Sequence, residues 1–148
     1  MVQRVKAWAG RTGMVMRDRH GTVLMDATLK TQQTRDPPTV EALAILEAMK
    51  LVLLKVWRNI VVESDAGVVL NEIRADQPSL TLYGNMIEEI KSLAKSFLSC
   101  HFSWINRVGN KVAHELAKVA CSLETTCVWL DWITMFLSPV IIANSAGI

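Results

Sequence analysis

The sequence IVVESDAGVV, from Ile60 to Val69, predicts a β-strand that passes directly into a helix. Its first half is a short β-branched run without polar alternation, which is typical of a strand covered on both faces of a sheet. The run ends at Ser64 and Asp65, and Val69 and Ile73 then follow at helical spacing. A carboxylate at such a junction lies at the sheet edge where open α/β proteins bind their ligands.

Upstream of this stretch, the sequence predicts a β-hairpin, a loop and a helix. Apolar runs at residues 13–18 and 22–27 flank the turn Arg19-His20-Gly21, which is typical of two strands joined by a tight loop. Residues 31–39 are polar and contain two prolines, so we expect a connecting loop there. A helix is expected from about Val40, because apolar residues then recur three and four positions apart: Ala42, Ile45, Leu46, Met49 and Leu53.

Downstream, the apolar spacing predicts a further helix over residues 82–98, a strand over residues 102–106 and a last helix over residues 111–122. The complete order is strand, strand, helix, strand, helix, helix, strand, helix. This alternation predicts an α/β fold, with a mixed sheet and helices on both of its faces.

The composition predicts a single globular domain over residues 1–148, because half of the residues are apolar and a fifth are charged. The formal net charge is only +2, but the first 35 residues carry seven basic residues against two acidic ones. This basic segment is either a surface that faces phosphates or an ordinary solvated surface. Its charged residues are Arg4, Lys6, Arg11, Arg17, Arg19, Lys30 and Arg35, against Asp18 and Asp26.

The cysteines indicate a protein of a reducing compartment, and the two ends of the sequence lack the features of a secreted or membrane-spanning protein. The three cysteines lack the Cys-x-x-Cys spacing of zinc sites, so we expect free thiols. The N-terminal residues contain no apolar run of the secretory type, and we expect an intracellular protein of the cytoplasm or nucleus. Residues 124–148 form an apolar tail that Asp131 and Pro139 interrupt, so we expect a helix or an interface there, not a membrane span.

Three residues are candidates for catalysis: Glu41, Asp65 and His114. Glu41 lies at the border of the apolar face of its helix, whereas Glu47 points away from it toward Lys50. A helical Glu and an Asp at a strand end can share a metal ion at the sheet edge. Each candidate also has an ordinary structural explanation. Glu41 can favour the helix dipole, Asp65 can cap the next helix, and His114 can be a packed or surface histidine.

Arg17, Arg107 and Asn110 are the predicted nucleic-acid contacts. Arg17 belongs to the basic N-terminal segment, and the other two flank the turn between the last strand and the last helix. Basic and amide side chains at such positions can contact phosphates. Turn chemistry explains Asn110 equally well, because Asn readily forms turns with its own backbone.

Four short motifs occur in a fixed order along the chain. They are G-x-V-x-R-D-x-x-G at residues 13–21, E-A-x-A-x-x-x-A at 41–48, V-E-S-D at 62–65, and F-x-W-x-x-R-x-x-N-x-x-A-H-x-L-A at 102–117. Together they resemble the ribonuclease H superfamily, and within it the plant ribonuclease H-like domains related to retroelement reverse transcriptases. The resemblance covers roughly residues 10–140.

The resemblance implies a five-stranded mixed sheet and an endonuclease that cuts the RNA strand of an RNA/DNA hybrid with Mg²⁺. Two Mg²⁺ ions about 4 Å apart bind the attacking water and the leaving oxygen in such reactions. The family holds them with an Asp on the first strand, a helical Glu, an Asp that ends a middle strand and an Asp on the last helix. Glu41 matches the second ligand and Asp65 the third, so these two are the implied metal ligands.

The sequence departs from this family at the other two ligand positions. No acidic residue precedes Asp18, so we expect the first strand to be cut away or replaced by Val2–Trp8. His114 stands at the fourth position and brings no negative charge. Two carboxylates neutralise two Mg²⁺ ions poorly, so we expect at most one ion and weak or absent hydrolysis. The alternative is a catalytically inactive module that keeps the fold and binds nucleic acid or another protein.

Overall fold

The computed structural model describes residues 2–8, 13–28, 36–55, 57–106 and 127–130. The strands in these ranges are β1 (Val2–Trp8), β2 (Gly13–Arg17), β3 (Val23–Thr28), β4 (Asn59–Ser64), β5 (Ser99–Trp104) and β6 (Cys127–Leu130). They form one sheet in the order β5-β4-β1-β2-β3-β6. Strands β1, β4 and β5 are parallel, whereas β2, β3 and β6 are joined by antiparallel pairing. The predicted mixed α/β sheet is confirmed.

Strand β1 lies in the middle of the sheet, between β4 and β2. Gln3, Val5 and Ala7 are buried on one of its faces. Because side chains alternate along a strand, Arg4 and Lys6 project from the opposite face. Of the two alternatives that the sequence left for the first strand, the structure has the second: Val2–Trp8 fills the central position.

The predicted hairpin of β2 and β3 is confirmed, with a turn over residues 18–22. The Oδ1 atom of Asp18 accepts hydrogen bonds from the backbone N–H groups of His20 (2.8 Å) and Thr22 (3.0 Å). Gly21 has a φ of 84°, a left-handed conformation that glycine adopts without a steric penalty. The β2–β3 register shifts between Met16 and Arg17, at the entrance to this turn.

The first helix, α1 (Pro37–Leu53), begins before the expected Val40, so the predicted loop was wrong for residues 37–39. Proline is well suited to the first turn of a helix, because the N–H that it lacks would have no partner there. Asp36 caps the helix, accepting hydrogen bonds from the backbone N–H (3.3 Å) and the hydroxyl (2.6 Å) of Thr39. The predicted apolar face is confirmed at Ala42, Ile45, Leu46 and Met49, which are all buried.

Two shorter helices follow β4: α2 (Gly67–Arg74) and α3 (Gly84–Ala94). Helix α2 buries Val69 and Ile73, as predicted. Helix α3 is shorter than the predicted 82–98, because its last apolar residues continue in tight turns. In these turns the N–H of Ser96 donates to the carbonyl of Leu93 and that of Phe97 to the carbonyl of Ala94.

The three helices contact one another, and α1 and α2 also contact the sheet, whereas α3 packs against these two helices. Their buried side chains form one core with Val5 of β1, Met16 of β2 and Val62 of β4. Cα pairing of Val5 with both Met16 and Val62 places these side chains side by side. The helix predicted over residues 111–122 lies outside the described residues. Glu47 is partly exposed and pairs with Lys50 (3.4 Å), as its outward position predicted.

Part of the apolar tail extends the sheet, so the helix expected there is wrong for residues 127–130. Strand β6 pairs with β3, with Leu130 opposite Met25 and Cys127 opposite Thr28. The remainder of residues 124–148 lies outside the described ranges. None of the helices in the described ranges combines the length and the hydropathy that a membrane-spanning segment requires. Cys100 is a free thiol, as predicted.

Candidate functional site

The candidates Glu41 and Asp65 lie in the first helix and directly after β4, respectively. The carboxyl end of β4, which Asp65 follows, lies beside that of the parallel strand β1. Helix α1 precedes β4 along the chain and contacts β1, the neighbour of β4 in the sheet. Glu41 is in the second turn of α1, about 6 Å from the helix start at 1.5 Å per residue. Both side chains are partly buried.

The turn around Asp65 has a hydrogen-bonded backbone. The backbone N–H of Ala66 donates to Oγ of Ser64 (3.1 Å), and the N–H of Gly67 donates to the carbonyl of Asp65 (3.0 Å). Ala66 has φ −80° and ψ 75°, the conformation of an inverse γ-turn. Ala66, and not Asp65, is the N-cap residue of α2, and its methyl side chain makes no capping hydrogen bond. The N-cap position that the sequence offered to Asp65 is therefore one residue further along the chain.

The helix-dipole explanation of Glu41 is also weak. The first turn of α1 consists of residues 37–40 and contains no acidic residue. The dipole acts mainly on charges within that first turn. Interaction with the helix dipole therefore does not account for Glu41, which remains a candidate for catalysis.

Glu63 of β4 is the buried acidic residue nearest to the central strand, with 5% of its surface exposed. It lies opposite Lys6 in the parallel β1–β4 register. Its Oε1 atom accepts a hydrogen bond from Nη1 of Arg4 (2.6 Å), and Oε2 lies 3.8 Å from Nζ of Lys6. One carboxylate thus faces two cations, and the cluster of three side chains carries a net charge of +1.

The surroundings of Lys6 in this cluster disfavour its charged form. Burial lowers the pKa of the Lys6 ammonium, Glu63 raises it, and the nearby Arg17 and Arg4 lower it further. The net direction is downward, because burial and like charges outweigh the attraction of one carboxylate. The centre of this sheet face is therefore electropositive.

Arg17, a predicted nucleic-acid contact, ends β2 directly opposite Arg4. Its Nη1 atom donates to the carbonyl of Gly21 (3.3 Å) in the hairpin turn. Its Nε and Nη2 atoms are buried, and within the described part of the chain they have no hydrogen-bond partner. Burial lowers the pKa of the Arg17 guanidinium. Arg17 thus adds a third positive charge beside Arg4 and Lys6.

The central strand offers no metal ligand next to Asp65. Lys6 lies opposite Glu63, and continuing this parallel register by two residues brings Trp8 opposite Asp65. Strand β1 contains no acidic residue. Among the residues that the structure describes, His, Cys, Asp and Glu form no group of three or more that can hold a metal ion. Glu41 and Asp65 supply oxygen donors suited to one hard cation, and this donor set is too small for two.

Three of the sequence-predicted residues, His114, Arg107 and Asn110, lie outside the described residues. The cluster of Arg4, Lys6 and Glu63 was not predicted, although Glu63 stands in one of the motifs. The alternation of Arg4 and Lys6 with Gln3, Val5 and Ala7 was a signal for one charged strand face. Their partner on β4 depends on the strand register.

Comparison with known families gives one match that covers most of the chain. The family described as "Reverse transcriptase-like" matches residues 2–120. A comparison with curated protein sequences gives no significant match.

Several solved structures share the fold. Ribonuclease H1 from the halophilic archaeon Halobacterium salinarum NRC-1 is 14% identical, with a TM-score of 0.71 over 82% of this chain and 96% of that one. The N-terminal ribonuclease H domain of rv2228c from Mycobacterium tuberculosis is 16% identical, with a TM-score of 0.74 over 82% and 94%. LC11-RNase H1, solved with an RNA/DNA hybrid, is 17% identical, with a TM-score of 0.62 over 78% and 91%. At these identities the similarity shows the fold.

Proposed function

The chain belongs to the reverse transcriptase-like family and has the fold of ribonuclease H, and from this premise we propose that it binds nucleic acid but hydrolyses it weakly or not at all. The expected ligand is an RNA/DNA hybrid or RNA. The similarity to a ribonuclease H1 that was solved with a hybrid supports this class of ligand. The basic face of β1 and β2 supports contact with a polyanion.

The observation that carries the proposal is the charge of the central strand. Strand β1 brings Arg4 and Lys6 to the sheet and no carboxylate. Hydrolysis with two Mg²⁺ ions requires clustered anions that offset a charge of +4. Glu41 and Asp65 supply −2, and Glu63 is already paired with two cations of this chain. The local charge therefore favours a bound phosphate backbone over a pair of metal ions.

A single Mg²⁺ fits the remaining oxygen donors, and Glu41 and Asp65 are the residues that would hold it. When bound, the ion would polarise a phosphate oxygen and promote ionisation of a water molecule. The carboxylates of Glu41 and Asp65 would orient the water and accept its hydrogen bonds. His114, proposed from its motif position as the third catalytic residue, would add a neutral ligand or a proton acceptor and no negative charge.

The proposed nucleic-acid contacts are Arg17, Arg107 and Asn110, to which the structure adds Arg4. The side chain of Arg4 is 56% exposed, so its guanidinium can reach a phosphate while it stays bonded to Glu63. Arginine is well suited to this task, because its planar group can bond two acceptors at once.

The test combines binding and cleavage of the same labelled RNA/DNA hybrid. We expect the parent chain to bind the hybrid in the presence of EDTA, with an affinity that falls steeply as salt is raised. In Mg²⁺ we expect cleavage far slower than that of a ribonuclease H with four carboxylates. Asp65→Asn and Glu41→Gln should remove any residual cleavage, whereas the matched control Glu47→Gln should not.

Two results would contradict the proposal in different ways. Failure to bind a hybrid, RNA or DNA would contradict nucleic-acid binding. Cleavage at the rate of an intact four-carboxylate ribonuclease H would contradict the proposed impairment.

A catalytically inactive module that keeps the fold is the second candidate function. The pairing of Glu63 with Arg4 and Lys6 favours it, because the chain supplies its own cations at the centre of the sheet. Binding that is unaffected by Mg²⁺, together with no cleavage at all, would distinguish this candidate from a weak enzyme.

A further inference from the structure

Trp104, the last residue of β5, is a large aromatic side chain that the structure leaves 57% exposed. It is aligned with Ser64 in the parallel β4–β5 pairing, and the N–H of Ile105 donates to the carbonyl of Ser64 (3.0 Å). Trp104 therefore stands at the same sheet edge as Asp65, one strand away. Neither the metal-binding proposal nor the hydrophobic core uses this side chain.

The exposure of Trp104 is unusual for its position on the strand. Cys100 and Phe102 occupy alternate positions of β5 before it, and both pack against the core beneath the helices. Trp104 continues this face beyond the core, where α2 begins with Gly67. A Cβ atom placed on Gly67 would lie 3.8 Å from Cδ1 and Nε1 of the indole. Because Gly67 has no side chain, the indole stays open to solvent over the helix start.

A basic side chain of α2 contacts the strand that carries Trp104. Arg74 donates through Nη2 to the carbonyl of Phe102 (2.6 Å), two residues before Trp104. Arg74 also lines a surface groove with Lys91 of α3 and with Lys95, which directly follows that helix. Asp76 and Glu88 line this groove as well, and Glu88 pairs with Lys91 (3.2 Å), so the net charge of the groove is +1. The positive charge nearest to Trp104 in this arrangement is thus that of Arg74, bonded to the same strand.

We propose that Trp104 is a stacking platform for an unpaired nucleobase, beside which Arg74 contacts the phosphate backbone. The inference rests on the proposed nucleic-acid binding and adds a substrate class to it. An exposed aromatic ring near a basic side chain is the combination by which proteins bind single-stranded nucleic acid. A base in the interior of a hybrid has no free face, so a platform beside the duplex requires a single-stranded segment. The preferred ligand is therefore a hybrid with an unpaired tail.

The location and charge of this surface favour a base over an apolar protein partner. The exposed leucines Leu80 and Leu82 lie in the connection between α2 and α3, not at the strand end that carries Trp104. Val68, near the start of α2, is the exposed large apolar residue that the described part of the chain places closest in sequence to Gly67, beside which the indole lies. Arg74 supplies the positive charge that a nucleotide requires and that an apolar peptide does not use.

The experiment measures the affinity of the full chain for three probes that share one short RNA/DNA hybrid. The first probe is blunt, the second has a short unpaired tail, and the third has an abasic tail with the same backbone. Titrations in EDTA separate binding from cleavage. We expect the tail with bases to bind about tenfold more tightly than the blunt hybrid, as one stacked base allows. We expect the abasic tail to recover little of this gain.

Substitutions of Trp104 separate stacking from apolar burial. Trp104→Ala and Trp104→Leu should lose the gain from the tail and keep the affinity for the blunt hybrid. Trp104→Phe should keep most of the gain, because a phenyl ring also stacks. The matched control is Leu98→Ala, an exposed apolar residue (81%) just before the opposite end of β5, which should change nothing. Thermal melts of each variant verify that it is folded.

The outcomes distinguish this inference from the proposed function. An equal gain from the tail in the parent chain and in Trp104→Ala would overturn the platform while nucleic-acid binding stands. A Trp104→Leu variant that keeps the full gain would also overturn it, because leucine offers no π-face. Absence of binding to all three probes would overturn both proposals.

Discussion

The Nη1 atom of Arg4 lies 2.6 Å from Oε1 of Glu63, and this ion pair joins the two parallel strands at the centre of the sheet. The carboxylate is buried, whereas more than half of the arginine side chain is exposed. Lys6 lies 3.8 Å from the other carboxylate oxygen. The central strand of this chain therefore brings cations to β4, the strand that ends at the candidate metal ligand Asp65.

Replacing Glu63 with glutamine should destabilise the fold. Glu63→Gln removes the carboxylate that lies within 4 Å of both Arg4 and Lys6. Water can solvate the exposed Arg4, so we expect a loss of about 1–2 kcal/mol in the free energy of unfolding, less than for a fully buried pair. Urea denaturation measures this change in the free energy of unfolding. The control Glu47→Gln, in an exposed pair with Lys50, should change stability by less than about 0.5 kcal/mol. Equal effects of the two substitutions would contradict this.

Lys6 should make stability depend on pH in the alkaline range. Burial lowers its pKa below 10.5, Glu63 raises it, and Arg17 and Arg4 lower it. Between the lowered pKa and 10.5, the unfolded chain binds more protons at this site than the folded chain. Stability from this group therefore increases as pH rises through that window. We expect Lys6→Met to be more stable than the parent chain at neutral pH and the difference to shrink toward pH 10.5. A difference that is constant with pH would refute the prediction.

Magnesium should stabilise the fold only through the two candidate carboxylates. If Glu41 and Asp65 hold one ion, added Mg²⁺ raises the melting temperature by mass action, because it binds the folded state preferentially. We expect Asp65→Asn and Glu41→Gln each to abolish this shift, while Glu47→Gln retains it. Calorimetric or fluorescence melts across a Mg²⁺ titration provide the measurement. A shift of the same size in Asp65→Asn would place the ion elsewhere.

The Cys100 thiol should be unreactive in the folded chain. Burial raises its pKa to about 11 from an ordinary 9.0, so the reactive thiolate is scarce at pH 8. In a Cys121→Ser/Cys127→Ser variant, we expect alkylation by iodoacetamide about 100-fold slower than in the same variant unfolded in urea, tenfold for each unit of pKa. Similar rates in the folded and unfolded states would show that the thiol is not protected.

Gly84 at the start of α3 should not tolerate a side chain. A Cβ atom there would lie 2.6 Å from the backbone carbonyl oxygen of Ser79, so the chain must shift. We expect Gly84→Ala to lower the free energy of unfolding by about 1–3 kcal/mol. Gly67→Ala is the control, because its Cβ would make ordinary contacts of 3.8 Å with Trp104. Denaturant titration measures the free energy of unfolding of both variants. Equal values would argue against the close approach to Ser79.

Local patterns predicted most of the elements correctly. The apolar spacing of Ile45 and Met49, the β-branched run at Ile60 and the turn at Gly21 each depend on neighbours in the chain, and all three are confirmed. The start of α1 was misplaced because Pro37 was taken as a loop residue, although proline also suits a first helical turn. The end of α3 was misplaced because apolar phase cannot distinguish an α-helix from tight turns.

The candidate site was predictable in part. Order along the chain was enough to place Asp65 at a strand end, where the structure has it, and Glu41 near a helix start, although the helix begins earlier and Glu41 lies in its second turn. The charge around Glu63 was not predictable, because it depends on which residue of β1 pairs with which residue of β4. A shift of one residue in that register would turn Arg4 and Lys6 into the apolar core.

Periodicity and turn chemistry, which act between neighbours in the chain, were sufficient to identify a mixed α/β domain and its two candidate carboxylates. Contacts between distant segments assigned Val2–Trp8 to the centre of the sheet, paired Arg4 with Glu63 and left Trp104 exposed beside Gly67. The physical reason is that a strand finds its place through hydrogen bonds and side-chain packing with partners far along the chain. The contacts with those partners form only when the sheet forms, and the charge of the site depends on them.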